Sequence, residues 1–200
     1  MKSFFTIAVL LSASLLVETA SAQSSSESLR FSFGAESQMF IDGTSSIHDW
    51  TCNVEKMTGG FQATAGAKAS TYEVSTATLK VDPKDIECGK GQMNRKLRDA
   101  LDSKTDATIQ FSLTQASNVD LSSGPKAAKL SGTLRIAGKT IPVVVNATGS
   151  MSATNQIQFE GSTKILMSDY DIDPPTALLG TLKTGNEITI RFLMKAAQDN

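Results

Sequence analysis

Two-residue alternation of apolar and polar positions dominates the chain. Leu29, Phe31 and Phe33 alternate with Arg30, Ser32 and Gly34, and Met39 and Ile41 with Gln38 and Asp42. Trp50, Cys52 and Val54 then alternate with Thr51, Asn53 and Glu55. This period places one set of side chains on each face of an extended chain, so each run predicts a half-buried strand. A turn over residues 43–46 separates the second and third runs, and Gly59-Gly60 marks the next turn, ahead of a strand over 61–64. A longer strand follows over 72–81, with Val74, Thr76, Thr78 and Lys80 opposed to Ser75, Ala77, Leu79 and Val81. Alternation returns in Ile109, Phe111 and Leu113, in 130–136, in 140–148 with its Val143-Val144-Val145 run, in 157–166, and in Ile188, Ile190, Phe192 and Met194. Turns are predicted at 122–125, at 137–139 and between Gly149 and Asn155, and residues 167–184, with Pro174-Pro175 and Gly180, read as a long loop.

One segment breaks the period. Met93, Leu97, Ala100 and Leu101 fall at helical spacing, with Arg95, Lys96, Arg98 and Asp99 off that stripe, predicting a short amphipathic helix with a solvated basic face. The tally is about eight to ten strands and one short helix, with no alternating strand–helix rhythm that would mark a parallel sheet. The chain is therefore all-β. Consecutive hairpins close readily into an antiparallel barrel, which removes exposed edges and at about eight strands has room for one ligand; a sandwich, filled by side chains, fits the same alternation.

Ahead of the first strand, Met1-Lys2, an apolar run over 4–17 and Ala20-Ser21-Ala22 before Gln23 have the form of a secretory signal peptide, residues 1–22. Removing those 22 residues leaves 178 of 200, a flexible serine-rich tail over 23–28 and one domain over 29–197. No Cys stands directly after the cleavage point, so a lipid anchor attached there is not expected, and no second apolar run has membrane length, so the mature chain is expected outside the cytoplasm without a membrane span. A formal net charge of −1, with no basic stripe, excludes nucleic acid as an expected partner. The two cysteines, Cys52 and Cys88, form an even count in an oxidising compartment and predict a disulfide, worth roughly 3–4 kcal/mol in the chain-entropy model.

Rare residues gather in residues 43–52, which hold the only His, the only Trp and one of the two Cys. A hydrolytic triad would have to use His48, yet Asp49 points to the other face of a strand and no GxSxG elbow surrounds Ser45 or Ser46. A metal site on His48, Cys52 and Cys88 lacks ligand spacing. Asp169, Asp171 and Asp173 fail as a calcium loop, since Pro174 and Gly180 stand where Gly and Glu are needed. No catalytic residue, metal or cofactor is expected. His48 reads as a hydrogen-bonded structural residue and Trp50 as an inward anchor.

Several blocks then carry a resemblance. They are Gly43-Thr44-Ser45-Ser46-Ile47-His48-Asp49-Trp50; MNRKLRDAL from Met93, with Ile109-Gln110-Phe111 after it; GTLRIAGKTIPV from Gly132; Ser168-Asp169-Tyr170-Asp171-Ile172 with Pro174-Pro175; and the final strand over 185–192. In this order, over 29–196, the chain resembles the YceI-like family of exported lipocalin-like barrels associated with binding polyisoprenoid lipids. The resemblance implies an antiparallel barrel around an elongated apolar pocket, with a helix at the wall or mouth. It also implies carriage of an isoprenoid or other apolar lipid in the bacterial periplasm or outside the cell, without chemical turnover; a homodimer is left open. Many members have a more acidic lead-in to the helix and a His-Leu pair, whereas here the block is basic and His-free, and the Cys pair belongs to a subset. Those departures bear on the ligand more than on the fold. The expected lining comes from the inward faces of the alternating strands: Phe31, Phe33, Met39, Ile41, Trp50, Phe111, Leu134, Ile136, Phe159 and Ile188. The alternative is a secreted structural or stress-associated interaction domain whose barrel is packed and holds no ligand.

Overall fold

The computed structural model describes residues 28–101, 108–115, 117–121, 124–152, 156–177 and 181–199. The expected signal peptide, the tail over 23–27 and the tips of the turns near 122–123 and 153–155 lie outside the described residues.

The alternating runs form strands β1 (Ser28–Phe33), β2 (Gln38–Ser45), β3 (Trp50–Val54), β4 (Thr58–Ala65) and β5 (Thr71–Val81). A short β6 (Ile86–Glu87) leads into helix α1 (Gly91–Ala100). Then come β7 (Ile109–Leu113), β8 (Ser117–Asp120), β9 (Lys126–Ile136), β10 (Lys139–Met151), β11 (Ile157–Leu166), β12 (Thr176–Ala177) and β13 (Leu182–Gln198). Every pairing is antiparallel, and the strands close into a barrel of eight positions. Segments outnumber positions because some positions are shared. β13 pairs β2 from Thr184 to Leu193 and then β1 at 196–198, while β5 pairs β8 through its first residues and β7 through its last.

The all-β expectation and the helix hold, and several local boundaries move. β2 runs on through Ser45, and the turn is 46–49 rather than 43–46. Gly43 is a packing position: it lies opposite Trp50 in the ladder, and a Cβ there would come within 2.2 Å of the indole Cζ2. The turn is instead closed by Ser45, whose hydroxyl and amide both donate to the His48 carbonyl, at 2.7 and 3.1 Å. Gly59-Gly60 likewise belongs to β4, not to a turn. At Gly59 the backbone has φ +147° and passes so close to β5 that a Cβ would stand 2.1 Å from the Thr78 carbonyl oxygen. The long loop over 167–184 carries a 3₁₀ turn (Met167–Tyr170) and the small β12–β13 hairpin. β8 was invisible to alternation because only Val119 of its residues is apolar.

The two ends of the barrel differ. One gathers aromatic rings: the Phe31 ring stacks on Phe61 at 4.6 Å, and Phe61 meets Phe159 edge-on at 5.8 Å. At the other end the apolar side chains divide into two clusters. One holds Cys52, Val54, Val81 and Ile86 under α1, and the other holds Leu134, Ile136, Ile165, Tyr170 and Ile172. Cys52 and Cys88 are disulfide-bonded across 36 residues, joining β3 to the segment before α1.

On the outer face Arg191 of β13 clasps Asp42 of β2, with Nε to Oδ2 at 2.5 Å and Nη2 to Oδ1 at 3.0 Å, and its guanidinium lies 5.0 Å from the Phe40 ring centre. The hydrogen bond from Arg191, joined by one from Thr51, holds the Asp42 carboxyl below its ordinary value of 3.8 against the opposing effect of burial. A carboxyl depressed on folding contributes stability above its unfolded pKa and loses it as pH falls through the lower folded value. Urea unfolding of wild type and Asp42→Asn should therefore differ by no more than about 1 kcal/mol above the ordinary carboxylate range, because the pair is largely exposed, and the difference should shrink as the medium is acidified through that range. Replacing both Cys52 and Cys88 with Ala is expected to lower stability by up to about 4 kcal/mol in the same assay, the loop-closure value for a link of this span.

Candidate functional site

Inward faces of the strands leave two adjoining cavities, of about 420 and about 140 Å³. Met39, Val81, Ile109 and Ile190 stand in the walls of both and form the neck between them. The inner, smaller chamber lies over the aromatic end and is lined by Phe33, Phe61, Phe111, Leu134, Phe159, Phe192 and Met194 among others, with Thr78 and Thr163 its only polar residues among those described. The outer chamber is lined by Ile41, Trp50, Val54, Ile86, Ile136, Ile165, Ile172 and Ile188. These apolar stretches of wall can solvate hydrocarbon, and charged side chains enter only the outer chamber's lining, as Lys90, Lys96 and Lys183 among the described residues.

One wall of the outer chamber is helical. Met93 and Leu97 of α1, with Leu101 at its C-terminal cap, pack on Cys52, Val54, Val81 and Ile86 and also line the chamber. The helix is pinned through the residues before it. Asn94 is buried; its side-chain oxygen accepts the Cys88 N–H at 2.8 Å and its amide donates to Glu87. Glu87 also takes Arg98 Nη2 at 3.1 Å, and the same nitrogen donates to the Lys84 carbonyl. The face expected to be solvated is therefore partly engaged: Arg98 holds Glu87, and Lys96 donates to the Thr176 carbonyl of β12.

Exposed members of the lining mark the opening of the outer chamber. They are Ile47 and His48 from the β2–β3 turn, Lys90 and Gln92 at the start of α1, and Thr176 and Lys183 from the β12–β13 hairpin. The turn is tied to β13, since Ser46 N–H donates to the Lys183 carbonyl at 3.0 Å and Lys183 N–H to the Ser46 hydroxyl at 3.2 Å. Deeper in, Tyr170 is only 2% exposed and its hydroxyl has no hydrogen-bond partner among the described residues. Burial, with a smaller contribution from Asp169, pushes its pKa up to about 12, so the phenol stays neutral at physiological pH.

The sequence-derived lining falls mainly where the cavities are. Ile41, Trp50, Ile136 and Ile188 line the outer chamber, Phe33, Phe111, Leu134 and Phe159 the inner, and Met39 the neck. Phe31 lines neither; its ring is spent in the stack with Phe61. Ile190, two residues beyond Ile188 on the same face of β13, was available to the same alternation argument. Tyr170 and Ile172 were not, because their segment has no period. Nor were Met93 and Leu97, since a helical stripe does not say what it covers. His48 shares a hydrogen bond between Nδ1 and the main-chain oxygen of Asp49 at 2.8 Å rather than with a carboxylate. Both cysteines are held in the disulfide, and no group of three or more His, Cys, Asp or Glu among the described residues is placed to hold a metal ion.

A family model described as the YceI-like domain matches residues 23–196. No curated protein matches the chain. Among solved structures, a polyisoprenoid binding domain from Saccharophagus degradans, implicated in plant cell wall breakdown, matches with a TM-score of 0.66 at 16% identity, over 86% of this chain and 99% of that one. BcnA of Burkholderia cenocepacia matches with a TM-score of 0.63 at 19% identity, over 82% and 98%. A YceI protein from Campylobacter jejuni matches with a TM-score of 0.56 at 16% identity, over 74% and 84%. At these identities the likeness shows a shared barrel fold.

Trp50 donates its indole N–H to the Thr44 carbonyl at 3.0 Å and is the only Trp in the chain, so its emission reports this wall alone. Gly43→Ala should displace the indole toward solvent, giving a red-shifted emission with the far-ultraviolet spectrum of the barrel retained, at a cost of about 1–3 kcal/mol for the overpacked contact.

Proposed function

This chain belongs to the YceI-like domain family, and on that footing we propose that it is an exported, periplasmic carrier that holds one elongated apolar lipid of the isoprenoid class in its barrel without chemical turnover. The observation that carries the reading is the two-chambered apolar cavity, whose chambers share Met39, Val81, Ile109 and Ile190. Each methylene or methyl moved from water into such a wall contributes about 0.8 kcal/mol, so an extended branched chain gains affinity along its whole length without polar contacts. Five Phe and two Met stand among the Val, Leu and Ile residues of the inner chamber, and such a mixed wall accommodates irregular branching better than one of a single aliphatic type. The fold relative from Saccharophagus degradans is described as polyisoprenoid binding, which supports the same ligand class here.

Export rests on the leader-like residues 1–22 and agrees with the Cys52–Cys88 disulfide, since such bonds persist in oxidising compartments. The barrel domain is taken as residues 29–197. The proposed contact set is the nine sequence-derived residues that line the cavities, extended by Val81, Ile109, Ile190, Met93, Leu97 and Tyr170. The lining supplies solvation rather than acid–base chemistry: its one described imidazole, His48, is at the exposed mouth, and Tyr170 stays protonated.

Mass spectrometry of organic extracts from protein purified after export should find a polyisoprenoid at near-stoichiometric level. A barrel that comes out empty and also refuses added isoprenoid in titration would sink the reading. Ile190→Trp is expected to plug the neck while leaving the fold intact by circular dichroism. Excluding about five carbons from the inner chamber removes about 4 kcal/mol, so affinity for long chains should drop about a thousandfold while chains short enough for the outer chamber bind as before.

A further inference from the structure

We infer that the open end of the barrel is a docking surface for an anionic lipid bilayer. The inference rests on the carrier reading and adds where that carrier exchanges its cargo. Ile47 is 63% exposed, more than any other large hydrophobic residue among those described, and it sits at the rim of the outer chamber. It is held there and not frayed: the turn carrying it is closed by the two bonds from Ser45 to the His48 carbonyl and strapped to β13 by the two bonds between Ser46 and Lys183. An isoleucine fixed outward by four hydrogen bonds is an odd use of a turn in water and an apt one against acyl chains.

Around it the rim is cationic. Lys90 and Lys96, at the N-cap and in the body of α1, and Lys183 of the β12–β13 hairpin all line the outer chamber, and among the described residues no carboxylate does. Asp49, Asp169 and Asp173 are exposed in neighbouring segments without lining it, and Asp171 is paired with Lys139 at 2.7 Å. The chain as a whole has a net charge of −1, so the positive rim is a local contrast and not a by-product of a basic protein. Anionic headgroups complement it, and each lysine drawn to such a surface adds favourable free energy that added salt removes. With the mouth against the bilayer, a chain passes from hydrocarbon into the outer chamber without exposing its length to water, which is the step that otherwise opposes extraction.

Vesicle flotation of the purified exported protein tests this. Co-flotation is expected with vesicles containing phosphatidylglycerol and not with pure phosphatidylcholine, and it should fall away as salt is raised from about 0.1 M to about 0.5 M. The double variant Lys90→Gln/Lys183→Gln should weaken vesicle binding about thirty-fold. Ile47→Asp should weaken it further, whereas Val144→Asp, at a 46% exposed residue of β10 that lines neither chamber, should leave it unchanged. Uptake of a detergent-dispersed isoprenoid, followed by Trp50 emission, is measured on the same proteins. Retained uptake with no flotation on anionic vesicles overturns the docking surface and leaves the carrier standing, while loss of uptake in the wild type overturns the carrier itself. Equal binding to both vesicle types, an equal effect of Val144→Asp, or an Ile47-dependent dimer in ultracentrifugation with no vesicle binding would each also refute the bilayer assignment.

Discussion

Closure of the sheet at β13 is the constraint on which the rest of this molecule depends. One strand of 17 residues pairs β11 along one edge and, along the other, first β2 and then β1. Without that second edge the sheet would be open, and its inward residues would have to meet a second layer or water. With it, the same residues face one another across a barrel. The cavity is the space left where they are too few to fill it.

How that space is distributed follows from which side chains meet. Aromatic rings from β1, β4 and β11 converge at one end. At the other end the wall passes from strand to helix, and the larger chamber lies between α1 and the facing strands. The Cys52–Cys88 link and the buried Asn94 hold that helix in register with β3 and β6. Its Met93 and Leu97 therefore become lining residues by position rather than by any special chemistry. The barrel keeps its charges outside. Asp42 and Arg191 settle theirs on the outer face, the rim lysines stand at the mouth, and buried Tyr170 is a phenol, neutral at physiological pH, whose ionisation burial pushes higher still.

Much of this was legible in the residues alone. Period-two alternation is a local property, carried by neighbours two apart, and nine of the ten lining residues it singled out, from Phe33 to Ile188, stand in the walls of the two cavities. The leader-like segment, the even cysteine count and the ordered blocks from Gly43-Thr44-Ser45-Ser46 to Pro174-Pro175 likewise need no coordinates. Other features were decided only when distant segments met. Gly43 and Gly59 look like turn residues in one dimension and prove to be strand positions where an indole and a neighbouring backbone approach too closely for a Cβ. Phe31 has the same parity as its strand-mates but lies at the end where rings meet, so it fills core instead of lining space. Tyr170 and the helical stripe lacked any one-dimensional mark of what they would face. Parity along a strand is set by covalent geometry, whereas closure, depth in the barrel and the gathering of Ile47 with three lysines at one rim come from pairings between residues far apart in the chain, and only the tertiary structure contains those.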